Sequence, residues 1–120
     1  MKKVLIVDDA AFMRLTIKTI VDKIGNIECI EARNGTEALF KYKENKPDVV
    51  TMDITMTDMT GIEALKLIKE YDPKAKIVMI SALGDEAMVK ESIILGAISF
   101  IVKPFKDDYV INTIKKILAI

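Results

Sequence analysis

The feature that most restricts the fold of this chain is an alternation: short runs dominated by Val and Ile recur between longer stretches with apolar residues at helical spacing. Runs that are apolar throughout belong to strands covered on both faces, as in a parallel sheet whose crossovers are helices. Strand one reads Lys3 to Asp8 (KVLIVD), followed by a helix from about Ala11 to Ile24 with Gly25 placed to end it in a left-handed cap. A second strand near Ile27 to Ala32 leads to Asn34-Gly35, which opens a helix to about Asn45. Pro47 and Asp48 break that helix before strand three, Val49 to Asp53 (VVTMD). Residues 54–61 then read as a loop entering a helix through Tyr71, closed by Asp72-Pro73. Strand four is Lys76 to Ser81, its helix runs from about Asp85 to Leu95 before Gly96, and strand five, about Ser99 to Lys103, is stopped by Pro104. Asp107 or Asp108 is placed to cap a last helix with Val110, Ile111, Ile114 and Leu118 on one side.

Five such units in 120 residues cannot close an eight-stranded barrel, which takes roughly 250. The expected fold is α/β: an open, doubly wound, five-stranded parallel sheet of order 2-1-3-4-5 with five helices, flavodoxin-like. One domain over residues 1–120 is expected, with no output domain, internal repeat or low-complexity segment. The chain is 51% hydrophobic, and at this length folding buries about 65% of the unfolded surface, enough for a core without staples.

Composition removes several function classes. Eighteen Lys and Arg balance eighteen Asp and Glu, so the basic face of a nucleic-acid binder is not evident. There is no histidine, and Cys29 is the single cysteine, which excludes an internal disulfide, the usual zinc sites and Ser-His or Cys-His catalysis. No apolar run approaches the roughly 18 residues of a membrane span, so a cytoplasmic protein without a membrane partner is expected. Neither G-x-G-x-x-G nor G-x-x-x-x-G-K-[ST] occurs, and Gly25, Gly35 and Gly96 read as turn and cap residues. Met52 and Met79 read as core, and Lys41, Lys43 and Lys46 as a solvated helix face.

In open parallel sheets ligands bind beyond the carboxyl ends of the strands where the order reverses, here between strands one and three. Strand one ends in Asp8-Asp9, strand three in Asp53, strand four in Ser81 and strand five in Lys103. An aspartate after a strand is often only a helix cap, and Asp9 or Asp53 alone permits that reading. Capping does not explain complementary groups at four strand ends meeting at one switch point. Three close carboxylates raise one another's pKa unless a cation sits among them, and an all-oxygen set favours a hard cation, best Mg²⁺. A lysine facing the same point fits a further anion, such as a phosphoryl group, beside the metal.

These residues resemble the receiver domain of two-component response regulators, over the whole chain and most closely the family's single-domain chemotaxis members. The matching stretches are VLIVDDAAFMR at 4–14, VVTMDITM at 49–56 with Gly61 following, MISA at 79–82 and FIVKPF at 100–105. The resemblance implies that Asp53 accepts a phosphoryl group from a phosphohistidine or from acetyl phosphate. It also implies that Asp9 and Asp53 bind Mg²⁺ directly with the Thr55 backbone carbonyl, and Asp8 mainly through water. Lys103, aimed by a cis bond to Pro104, would pair with the phosphoryl oxygens. Ser81 would move to the new phosphoryl group and Phe100 would rotate into the space it leaves, reshaping the face of helix four, strand five and helix five. Thr57 stands where the family usually has proline, Phe100 where chemotaxis members often have tyrosine, and Thr55 and Leu83 at positions that tune hydrolysis.

The same resemblance implies a monomeric signalling protein, not an enzyme acting on other substrates. Its implied partners are a CheA-like sensor histidine kinase and the flagellar motor switch or, in a phosphorelay, a phosphotransfer protein. A haloacid-dehalogenase-type phosphatase also uses an Asp nucleophile with Mg²⁺ and a lysine, but it needs an Asp two residues on, where this chain has Thr55. A small flavodoxin needs a hydroxyl- and glycine-rich phosphate loop after strand one, where Asp8-Asp9 would repel the ligand.

Overall fold

Burial divides the strands into two kinds and thereby sets their places. A computed structural model describes residues 1–82 and 84–120; Leu83 lies outside the described residues. In β1 (Lys2–Val7) the last four residues are buried, and in β3 (Val49–Met52) and β4 (Ile77–Ser81) every residue is. By contrast β2 (Ile27–Ala32) and β5 (Ser99–Val102) each bury a single residue. Strands buried on both faces must lie inside the sheet and the others at its edges. The sheet is five-stranded and parallel in the order β2-β1-β3-β4-β5, as the alternation predicts.

Two apolar layers sandwich it. On one face α1 (Ala11–Asp22) and α5 (Asp107–Leu118) press Ile17, Ile20, Val21, Val110, Ile114 and Leu118 onto side chains that include Val4, Ile6 and Ile80. On the other, α2 (Gly35–Asn45) and α3 (Gly61–Tyr71) bring Ala38, Tyr42, Leu65 and Ile68 against Leu5, Met52 and Met79. The helix α4 (Glu86–Ile94) joins this second layer through Met88, with Leu95 just beyond it. Each fully buried aliphatic side chain contributes about 1.5–3 kcal/mol, so the layers, and not helix propensity, hold the helices in place. Met52 and Met79 are core, as read from sequence.

The observed boundaries depart from sequence expectation in an instructive way. β1, β3 and β5 each stop one residue early, so Asp8, Asp53 and Lys103 stand just past the ladder. α1 ends at Asp22, and both Gly25 (φ 85°) and Asn26 (φ 57°) take the left-handed conformation in the connection beyond it. Neither Asp107 nor Asp108 caps α5: Lys106 is the N-cap, without a side-chain bond, and the two acids lie in the first turn, where they favour the helix dipole. Among the described residues no helix is long and apolar enough to cross a membrane.

Candidate functional site

Parallel register brings the acidic residues level. Val7 pairs with Met52, so the next residues, Asp8 and Asp53, leave adjacent strands at the same height. Their backbones stay tied to the sheet, Asp8 N–H donating to the Ala32 carbonyl at 3.1 Å and Asp53 N–H to the Val7 carbonyl at 3.0 Å. Asp9 comes next, in the turn to α1. One carboxylate oxygen from each of Asp8, Asp9 and Asp53 lies within 4.8 Å of the others, with Asp8 and Asp53 buried and Asp9 exposed. Neither Asp9 nor Asp53 caps a helix: Ala10 precedes α1 and Thr60 precedes α3.

Lys103 reaches this cluster from the far edge strand. Its Nζ is 3.1 Å from Asp8 Oδ2 and 3.6 Å from Asp53 Oδ1. Its N–H donates to the Ser81 carbonyl at 2.9 Å, tying the ends of β4 and β5 together, and the Lys103–Pro104 peptide bond is cis. Three carboxylates face one ammonium, so negative charge is in excess. Burial pushes the Asp53 carboxyl above its ordinary value; Lys103 opposes the shift, and Asp8 and Asp9 add to it. The donor set is all oxygen, buried on two sides and open at Asp9, which suits a hard divalent cation that keeps part of its water.

Ser81 is buried at the end of β4, and the Thr55 side chain is exposed two residues beyond Asp53. Phe100 is half-buried and packs with Met88 and Leu95 against the second apolar layer.

The structure adds residues that sequence reasoning gave no site role. Arg14 donates through Nη1 to the Asp8 carbonyl at 2.7 Å and through Nε to Glu31 at 3.0 Å, bracing the turn after β1. Gly61 N–H donates to the Ile54 carbonyl at 2.7 Å, and a Cβ at Gly61 would fall 1.8 Å from the Asp53 carbonyl oxygen. Asp58 accepts four hydrogen bonds, three of which pin the loop to α2. Only Gly61 had a visible signal, its place after the VVTMDITM stretch; Asp58 looks like any loop aspartate.

A five-stranded 2-1-3-4-5 sheet with an Asp-Asp, Asp and Lys cluster at its switch point defines a doubly wound α/β protein with a charged, all-oxygen site at its sheet edge. The chain belongs to the response regulator receiver domain family, which matches residues 4–115. It is 56% identical over 116 residues to the chemotaxis protein CheY of Thermotoga maritima, covering 97% of each chain. With the chemotaxis protein CheY of Bacillus subtilis it shares 55% identity over 116 residues, again covering 97% of each. Among solved structures it superposes on a chain of the CheX–CheY–BeF₃–Mg²⁺ complex from Borrelia burgdorferi with a TM-score of 0.91, at 42% identity, covering 98% of this chain and 89% of that one. Family membership makes it a response regulator of two-component signalling and CheY-like in type.

Proposed function

We propose that this protein is a chemotaxis response regulator whose state is set by phosphorylation of Asp53. The observation that carries the reading is Lys103 Nζ held between Asp8 and Asp53 beside a cluster of three carboxylates. Such a site positions an anion and neutralises charge, which phosphoryl transfer to a carboxylate needs more than acid or base catalysis. An Asp53 oxygen attacks the phosphorus of a phosphohistidine or of acetyl phosphate, the P–N or P–O bond breaks, and the electron pair leaves with the imidazole or the acetate. Asp8, Asp9, Asp53 and the Thr55 backbone carbonyl would hold Mg²⁺, which when bound offsets the carboxylate charge and the charge on the phosphoryl oxygens. Lys103 exchanges its carboxylate partners for a phosphoryl oxygen. The Borrelia structure supports this reading, since it pairs a CheY with Mg²⁺ and BeF₃, a stand-in for a phosphoryl group.

Ser81 and Phe100 carry the change outward as a shift between two packings. The face they control is apolar for a surface: Ile94 on α4, Ile98 and Val102 about β5 and Tyr109 on α5 are 76, 49, 47 and 55% exposed. The partners are a CheA-like histidine kinase, which phosphorylates Asp53, and a flagellar motor switch protein that binds this face, in the cytoplasm.

Intact-mass spectrometry with acetyl phosphate tests the chemistry. One added phosphoryl group that requires both Mg²⁺ and Asp53 is expected; Asp53→Asn gives none, and an adduct in that variant would relocate the acceptor. Lys103→Ala is expected to retain Mg²⁺ binding and fail to signal.

A further inference from the structure

The connection from β3 to α3, residues 54–60, contains no proline to stiffen it, yet it is held in the middle as well as at its ends. The hold is Asp58. Its carboxylate accepts from Gly35 N–H at 3.0 Å, Thr36 N–H at 2.8 Å, Thr36 Oγ1 at 2.7 Å and Met59 N–H at 2.8 Å. Three of those four bonds come from the first turn of another helix, α2. The remaining amide of that turn, Glu37 N–H, is taken by Asn34 Oδ1 at 2.8 Å, so the helix entrance is fully satisfied from two sources. The Thr36 hydroxyl and the surrounding amides hold the Asp58 carboxyl well below the usual carboxylate range.

Packing reinforces the tether. A Cβ built at Gly35 would lie 2.4 Å from Met59 Cγ, so the next loop residue closes directly onto the start of α2. The bound charge also sits at the positive end of the α2 dipole. Bonds of this kind cost little to make when the donors are otherwise orphaned, and breaking them would leave three helix donors without a protein partner.

We propose that Asp58 is a positioning residue: by tying residues 54–60 to the entrance of α2, it holds the Thr55 backbone where a divalent cation at Asp8, Asp9 and Asp53 can use its carbonyl. The inference rests on the metal-binding reading of the site under Proposed function. Asp58 itself bonds to Gly35, Thr36 and Met59, away from the cluster. Outer contacts that orient metal ligands govern affinity in this indirect way.

The test is calorimetric titration with MgCl₂, well below the melting temperature, of the wild-type protein, Asp58→Ala, Asp58→Asn and the exposed control Glu70→Gln. Asp58→Ala is expected to bind Mg²⁺ about 10-fold more weakly than wild type. Asp58→Asn, which keeps one carbonyl acceptor, should fall between, and Glu70→Gln should match wild type. In parallel, Gly35 and Thr36 amide hydrogen exchange should quicken in both Asp58 variants. A purely structural role would lower their melting temperatures and leave the Mg²⁺ affinity of the folded protein unchanged; that result overturns the proposal. Should Asp58→Ala fail to fold, Asp58→Asn decides alone. If wild type binds no Mg²⁺, the metal-site reading falls and takes this role with it, while the exchange data still show whether the tether exists.

Discussion

The connections that leave β3 and β4 flank the same site and are built in opposite ways. Residues 54–60 are fixed by Gly61 N–H on the Ile54 carbonyl, by Asp58 on α2, and by a capping box between Thr60 and Glu63. They feed a helix that buries Gly61, Ala64, Leu65 and Ile68. The connection after Ser81 is exposed at Ala82, Gly84 and Asp85 and leads into α4, whose one buried residue is Ser92, hydrogen-bonded back to the Met88 carbonyl at 3.0 Å. Ile93 and Ile94 of that helix face solvent. Among the described residues the difference is one of anchoring: the connection beside Asp53 is clamped at several points, whereas α4 buries one side chain and presents Ile93 and Ile94 to solvent.

Two glycines sharpen the contrast most. An alanine in a helix is ordinarily better than glycine by up to about 1 kcal/mol. At Gly61 that sign should reverse, because the new Cβ would meet the Asp53 carbonyl oxygen at 1.8 Å and its carbon at 2.7 Å, both backbone atoms that cannot turn aside. Gly61→Ala is expected to cost about 3 kcal/mol or more in urea unfolding and to displace Asp53. At Gly84 the added Cβ meets Val102 Cγ2 at 2.6 Å, a half-exposed side chain able to rotate. Gly84→Ala should cost no more than about 1 kcal/mol. Equal losses at the two positions would break the comparison.

Legibility in the sequence obeys the same division. Strand order, the two covered faces and the meeting of Asp8, Asp9, Asp53 and Lys103 could be read because they rest on periodicity and on a rule about strand ends. β2 and α2 appear at the residues read for them, since Asn34 is a genuine cap, its side chain accepting from Glu37 N–H. The Asp107 and Asp108 expectation failed because an acid in the first turn satisfies the dipole as well as an acid at the cap, and spacing alone does not separate the two. Asp58, Arg14 and the Met59 contact on Gly35 were illegible for a deeper reason. Each depends on which distant element lies alongside, a property of the folded chain and not of its local pattern.

The caps provide a gentler probe. Thr60→Ala and Asp85→Ala each remove a side-chain oxygen that accepts a first-turn amide, Glu63 N–H in one case and Met88 N–H at 2.8 Å in the other. Each should cost its helix about 1 kcal/mol, a factor of roughly 5 in its opening equilibrium. Because α3 buries Ala64, Leu65 and Ile68 in the core, Thr60→Ala should lower global stability. Because α4 buries only Ser92, Asp85→Ala should quicken hydrogen exchange across residues 86–94 and leave the β3 and β4 amides nearly unchanged. Uniform acceleration along the chain in both variants would mean that α4 is as tightly coupled as α3.

The smallest expected effect is a pH dependence, and its sign distinguishes a site built for a cation from one built for stability. Burial raises the Asp53 carboxyl, with Lys103 opposing and Asp8 and Asp9 adding, so the folded protein holds this proton more tightly than the unfolded chain does. The associated stabilisation is fully present below the unfolded carboxyl value and is lost as pH rises through the folded one. Near pH 7 without metal, the ionised Asp53 therefore weighs against the fold. Asp53→Asn is expected to raise the melting temperature by a few degrees at pH 7 in chelator, with the gain fading as the pH falls below the carboxylate range. Added Mg²⁺ should reverse the order, stabilising wild type and leaving the variant nearly unmoved. A variant less stable than wild type at neutral pH without metal would show instead that the Lys103 ion pair outweighs burial and the neighbouring carboxylates. The clamped side of the site would then owe part of its rigidity to the acceptor itself.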